Sequence, residues 1–138
     1  MNAAKSPITK AHSTAMVVDD DAFSLAVAQR ALRNLGFTEC WLATDGQEGL
    51  RILAGLDRSP DLILCDIFMP NKDGFEFLTE LGKRRYPGKV VLISGGDSFM
   101  MDVAEQLAAA DGLHVSAKII KPLDQNQLAE ALGLSRTA

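Results

Sequence analysis

The chain has 138 residues, 47% hydrophobic and 23% charged, which suits one globular domain and excludes wholesale disorder, a collagen-like fibre and a disulfide-stapled miniprotein. Fourteen Lys and Arg against eighteen Asp and Glu leave a formal net charge of −4, so no broad basic surface is available and direct nucleic-acid binding is not expected. No apolar run approaches the ~18 residues of a membrane span, and residues 1–13 lack the apolar stretch of a signal peptide, so the expected location is the cytoplasm with no membrane partner.

Residues 1–13 are polar, contain a proline and show no period, which predicts a flexible N-terminal arm; residues 134–138 read as a C-terminal tail. Between them, over 14–133, strand-length apolar bursts at 15–18, 40–43, 61–65, 89–94 and 117–120 alternate with segments of helical period. The first helix carries Phe23, Ala26, Val27, Ala28, Ala31, Leu32 and Leu35 at three- and four-residue steps, with Gly36 at its C-terminal cap. Asp45-Gly46 opens a second, with Leu50, Ile52, Leu53 and Leu56 apolar. A third starts near Asp73-Gly74, carries Phe75, Phe77, Leu78 and Leu81, and stops before Pro87. Asp97 or Ser98 caps a fourth, reaching Ala110 through Met101, Val103, Ala104, Leu107 and Ala108, and Asp124 caps a fifth.

Some conspicuous residues have plain readings. Lys83-Arg84-Arg85 falls at a helix end, where cations complement the macrodipole. Cys40 and Cys65 lack metal-ligand spacing and read as small buried hydrophobes. His12 in the arm and His114 in a linker before the fifth strand have no spaced partner, and Trp41 reads as packing. Phe99 and Met100, on the fourth helix, become partner contacts if exposed.

Strands that alternate with helices pair in parallel, because a tight hairpin cannot join parallel strands. In such sheets ligands gather beyond the carboxyl ends of the strands. Those ends carry Asp19, Asp20 and Asp21 after the first strand, Asp66 after the third, Ser94 after the fourth and Lys121 after the fifth. Any one of these aspartates has a structural reading as the cap of the next helix. If Asp19, Asp20 and Asp66 converge, their repulsion calls for a cation or a raised pKa, and an oxygen-only cluster favours Mg²⁺. Lys121 and Ser94 suit the oxygens of a transferring phosphoryl group, and an Asp carboxylate is an adequate nucleophile for phosphorus.

The segments VVDDDAF (17–23), DLILCDIFMPNKDG (61–74), VVLISGG (90–96) and IIKP (119–122) together resemble the four motif regions of the response-regulator receiver domain. The resemblance implies a flavodoxin-like, doubly wound five-stranded parallel sheet of order 2-1-3-4-5. It implies that Asp19 and Asp20 hold Mg²⁺ together with Asp66 and the Phe68 backbone carbonyl. Asp66 would accept a phosphoryl group from a histidine kinase or phosphotransfer protein. Ser94 matches the switch hydroxyl, Lys121 the lysine that contacts the phosphoryl group, and Lys121-Pro122 a cis peptide bond. Met69-Pro70 and Asp73-Gly74 match the loop that shapes the site.

Three features depart from the family pattern. Lys118 stands where relatives often have a Tyr or Phe that swings inward on activation. The stretch from Ser94 to Lys121 is extended by GLHVS (112–116), and Ser94-Gly95-Gly96-Asp97 followed by a long helix and a lysine without the aromatic resembles receivers attached to cyclic-di-GMP phosphodiesterase modules. Phe68, two past Asp66, is bulky where many relatives are polar, and is expected to hinder the attacking water. The expected function is a stoichiometric phosphoacceptor and switch, not a multiple-turnover enzyme. With no DNA-binding segment after the domain, output is expected through another protein or an attached domain. The face of the fourth helix, fifth strand and fifth helix often pairs two receivers, so a homodimer is among the implied partners. The alternatives are a pseudo-receiver that only binds protein and, through Asp19-Asp20-Asp21 as a DxD, an aspartate-nucleophile phosphatase of the haloacid dehalogenase kind.

Overall fold

A computed structural model of the chain describes residues 13–69, 74–96 and 98–134. Most of the arm and tail, Pro70 and Asp73 of the loop after the third strand, and Asp97 as a cap candidate lie outside these residues. The elements alternate strictly: β1 (Thr14–Val18), α1 (Ala22–Asn34), β2 (Glu39–Ala43), α2 (Gly46–Ala54), β3 (Leu62–Asp66), α3 (Gly74–Lys83), β4 (Lys89–Ser94), α4 (Ser98–Ala110), β5 (His114–Ile120) and α5 (Gln125–Ala131). The five strands are all parallel, in the order β2-β1-β3-β4-β5. This is the flavodoxin-like architecture that the sequence implied.

The inner strands are apolar on both faces because helices cover both sides. Met16, Ile63, Cys65 and Leu92 meet α3 and α4 through Phe77, Leu81, Met101 and Ala104. Ala15, Val17, Leu64 and Val91 meet α1 and α5 through Leu25, Leu32 and Leu128. Each fully buried Leu, Ile or Phe contributes about 1.5–3 kcal/mol of transfer free energy, so these two seams hold the sheet between its helical layers.

The helix starts follow from capping chemistry. Asp21, Asp45 and Asp124 each accept a hydrogen bond from the backbone N–H three residues on, and Asp124 forms a reciprocal box with Gln127. α1 ends in a Schellman turn: Gly36 has φ 102°, its N–H reaches Arg33 O at 3.0 Å, and the Phe37 N–H reaches Leu32 O at 3.0 Å. Trp41 lies on β2, half-buried against the core.

Several expectations need correction. Phe23, read among the periodic apolar positions of α1, is 75% exposed; the buried set is Leu25, Ala28, Ala31 and Leu32. Phe23 follows Ala22, the first residue of α1, and the sheet-facing arc starts only at Leu25. Leu107 on α4 is likewise more than half exposed, and Leu56 falls beyond the end of α2. β5 starts at His114, not Ala117, because Val115 pairs with Val90 and Ala117 with Val91, leaving Ser116 as a bulge. His114, Val115 and Ser116 of the extended approach are therefore strand, and His114 is not in a linker. Cys40 is half-buried and only Cys65 is fully inside.

Candidate functional site

The chain leaves β1 to run to β2 on one side and reaches β3 on the other, so a crevice opens beyond the carboxyl ends of β1 and β3. Asp19 follows β1 directly and is 2% exposed, with its backbone N–H bonded to Ala43 O at 3.0 Å. Asp66 is the last residue of β3 and is 4% exposed. Asp20 lies at the rim, exposed. One carboxylate oxygen from each of the three lies within 4.8 Å of the others.

Asp21 belongs to the scaffold. Its side chain accepts from the Ser24 N–H at 3.1 Å and the Ser24 hydroxyl at 2.8 Å, and that hydroxyl contact, followed by the N–H, holds its carboxyl below the usual range. Its own backbone N–H donates to Asp19 Oδ1 at 2.9 Å and so orients that carboxylate. The helix cap and the site share one turn, a link that residue types alone did not reveal.

Lys121 directly follows β5, and its backbone N–H donates to Ser94 O at 2.8 Å. The Lys121-Pro122 peptide is cis, as the resemblance implied. From there the ammonium reaches across the sheet to Asp19 Oδ2 at 2.9 Å and Asp66 Oδ2 at 3.2 Å. Burial alone would pull the Lys121 ammonium down; its bond to Asp19 and the charges of both carboxylates outweigh that and hold it above the ordinary lysine value.

Asp66 Oδ1 accepts from the Phe68 N–H at 3.0 Å. Burial pushes the Asp66 carboxyl up, and the Asp19 charge pushes the same way; the Phe68 N–H and Lys121 oppose them without cancelling them. Ser94 ends β4, with its side chain fully buried and its Oγ accepting from the Gly96 N–H at 3.4 Å. β3 and β4 pair Asp66 with Ile93, so Ser94 lies one step beyond the acid on the neighbouring strand. The Phe68 side chain is 44% exposed beside the site.

Three carboxylates thus cluster about one ammonium, which bonds two of them. An all-oxygen donor set with surplus negative charge, partly open to solvent, fits a hard divalent cation such as Mg²⁺. A cleft of about 270 Å³ adjoins the site, walled by Phe23, Val27, Pro122 and Leu123 and bordered by Asp19 and Lys121. Sequence reasoning missed this wall because it read Phe23 only as one of the periodic apolar positions of the first helix; a large apolar residue in the first turn after an acidic cap was the available signal.

Comparison with known proteins gives a consistent picture. A model of the response regulator receiver domain family matches residues 15–133. DctR of Bacillus subtilis, described as a probable C4-dicarboxylate response regulator, is 28% identical over 119 residues, 85% of this chain and 49% of its own length. The regulator of RpoS from Escherichia coli K12 is 33% identical over 116 residues, 83% of this chain and 32% of its own. The chain therefore spans half or less of these relatives. A CheY-like receiver domain protein from Methanospirillum hungatei superimposes with a TM-score of 0.74 at 27% identity, covering 88% of this chain and 91% of that one.

Proposed function

Because the chain belongs to the response regulator receiver domain family of two-component signalling, we propose that Asp66 is its phosphoacceptor, serving a histidine kinase or phosphotransfer protein. The observation that carries this reading is the Asp66 carboxylate at the end of β3, 3.2 Å from the Lys121 ammonium and clustered with Asp19 and Asp20. An Asp66 carboxylate oxygen attacks phosphorus, the P–N bond of the donor phosphohistidine breaks, and the imidazole nitrogen keeps the electron pair. Lys121 is placed to meet a phosphoryl oxygen, and the Ser94 hydroxyl to donate to another. Asp19, Asp20, Asp66 and the Phe68 backbone carbonyl would hold Mg²⁺. When bound there it supplies positive charge to the phosphoryl oxygens.

One phosphoryl group per chain makes this a switch and not a multiple-turnover catalyst. The added charge and acceptor oxygens favour a conformer in which Ser94 and Lys121 engage them, and that difference shifts the population seen by a partner. The receiver unit is taken as residues 14–133, acting in the cytoplasm on a separate output protein or an attached domain, with a cyclic-di-GMP phosphodiesterase module among the candidates. A homodimer through α4, β5 and α5 is the further partner proposed. Among the described residues no helix is long and apolar enough to cross a membrane.

The test is incubation with acetyl phosphate, with and without Mg²⁺, read by intact mass. A Mg²⁺-dependent gain of one phosphoryl group, absent in Asp66→Asn, supports the reading. Lys118 in the aromatic position favours a second reading, a pseudo-receiver that only binds protein, and no gain in folded wild-type protein would select it.

A further inference from the structure

Lys118 ties β5 to α4. Its Nζ lies 2.7 Å from Asp102 Oδ1 and 2.8 Å from Glu105 Oε1, two acids three residues apart on α4. Further ion pairs lie in the aspartate site and within α3. The strand directs this contact: Ala117 and Ile119 pack on the α1 and α5 side, so Lys118 between them faces α4.

The tie matters because α4 buries few large side chains. It fully buries Met101 and two alanines, Ala104 and Ala108, whereas α3 buries Phe77, Leu78 and Leu81. Alanines remove little apolar area from water, so the ion pairs carry a larger share of what fixes this helix. α4 is also the helix that follows Ser94, joined to it through Gly95-Gly96, where an added Cβ would meet nothing within 4 Å.

We propose that Lys118, Asp102 and Glu105 form an electrostatic clasp that holds α4 on β5 and that phosphorylation of Asp66 must work against. The proposal rests on the reading of Asp66 as phosphoacceptor. A phosphoryl group that draws the Ser94 hydroxyl pulls on the turn leading into α4, and the helix follows only as the two Lys118 contacts lengthen. Whatever weakens the clasp then favours the phosphorylated arrangement by the same factor. The Asp102 and Glu105 side chains are 58% and 40% exposed, so salt screens the clasp.

The experiment compares wild type, Lys118→Ala, Asp102→Asn/Glu105→Gln and Lys118→Arg as full chains. It reads hydrogen exchange of α4 amides against α3 amides, and the rate of phosphoryl gain from acetyl phosphate with Mg²⁺ at low and high NaCl. Lys118→Ala and the double variant should speed both α4 exchange and phosphoryl gain by about two- to fivefold at low salt, the size expected of partly exposed pairs, with Lys118→Arg close to wild type. High salt should bring the wild-type rate up toward that of Lys118→Ala. Unchanged α4 exchange in Lys118→Ala overturns the clasp. Looser α4 with equal phosphorylation rates in all four proteins overturns its coupling to the site. No phosphoryl gain in any of them overturns the reading of Asp66, and the coupling with it.

Discussion

Lys121 Nζ lies 3.2 Å from Asp66 Oδ2 although 55 residues separate the two in sequence. The contact spans β4, which lies between β3 and β5, and it brings the one ammonium of the site onto two acids that start from different strands. The site is thus a product of strand order, with the charge it lacks set by how many carboxylates converge.

Without a divalent cation, Asp66 should cost the fold stability at neutral pH. Its carboxyl is raised in the folded state, so the fold prefers it protonated. This preference contributes stability fully below the ordinary carboxylate value of about 3.9 and is lost as pH rises through the raised folded value. Asp66→Asn, which cannot ionise, is therefore expected to be more stable than wild type at pH 7 by ~1 kcal/mol, about 3–5 °C in Tm for a domain of this size. Melting curves from pH 4 to 8 in EDTA should show the gap closing toward pH 4. A gap independent of pH would contradict the electrostatic cause.

Mg²⁺ should reverse that cost. Binding only to the folded state at tenfold excess over Kd stabilises by about 1.4 kcal/mol. The rise in Tm with added Mg²⁺ is expected to shrink in Asp19→Asn and in Asp20→Asn, and to persist in Asp21→Asn, since Asp21 serves the α1 cap. Equal shifts in all three would remove the assignment of Asp19 and Asp20 as the metal pair.

Gly74 should tolerate no side chain. A Cβ there would lie 2.2 Å from Ile67 Cα and 2.7 Å from Asp66 O, both backbone atoms that cannot swing away. Gly74→Ala is expected to cost ~3 kcal/mol, roughly 10 °C in Tm, and to disturb the aspartate site by moving the segment after Asp66. Gly96→Ala meets nothing within 4 Å and should change stability by less than about 0.5 kcal/mol. Equal melting of the two variants would contradict this packing.

Phe68 should lengthen the life of the phosphoryl group. Its side chain stands 44% exposed two residues beyond Asp66, where an attacking water must approach. Phe68→Asn is expected to lose phosphate about tenfold faster, ~1.4 kcal/mol in the barrier, in a dephosphorylation time course followed by intact mass. A rate unchanged from wild type would remove the shielding role.

Much of this was legible in the sequence for physical reasons. The runs LILC and VVLIS, apolar at successive positions, matched strands covered on both faces, and Asp45 and Asp124 signalled helix starts through capping chemistry. Residue type at the strand ends located Asp19, Asp66, Ser94 and Lys121. What failed depended on geometry that periodicity does not carry. Phe23 has an apolar side chain on the correct helix but lies one step before the buried arc, and the bulge at Ser116 hid the true start of β5. The Lys118 clasp was out of reach as well, because a lysine in an aromatic's place signals a loss until its partners on α4 are seen. Asp21 carried two readings, metal acid or cap, and only the Ser24 contacts decide for the cap.

The central claim is that Asp66 and no other carboxylate carries the phosphoryl group. Borohydride reduces an acyl phosphate, but not a free carboxylate, to an alcohol, so treating the phosphorylated chain and mapping its peptides by mass spectrometry marks the acceptor directly. The account predicts homoserine at position 66 in wild type, Mg²⁺-dependent, with Asp19, Asp20 and Asp21 unmodified. Homoserine at one of those three positions, or at none in protein that has gained the phosphoryl mass, would contradict it.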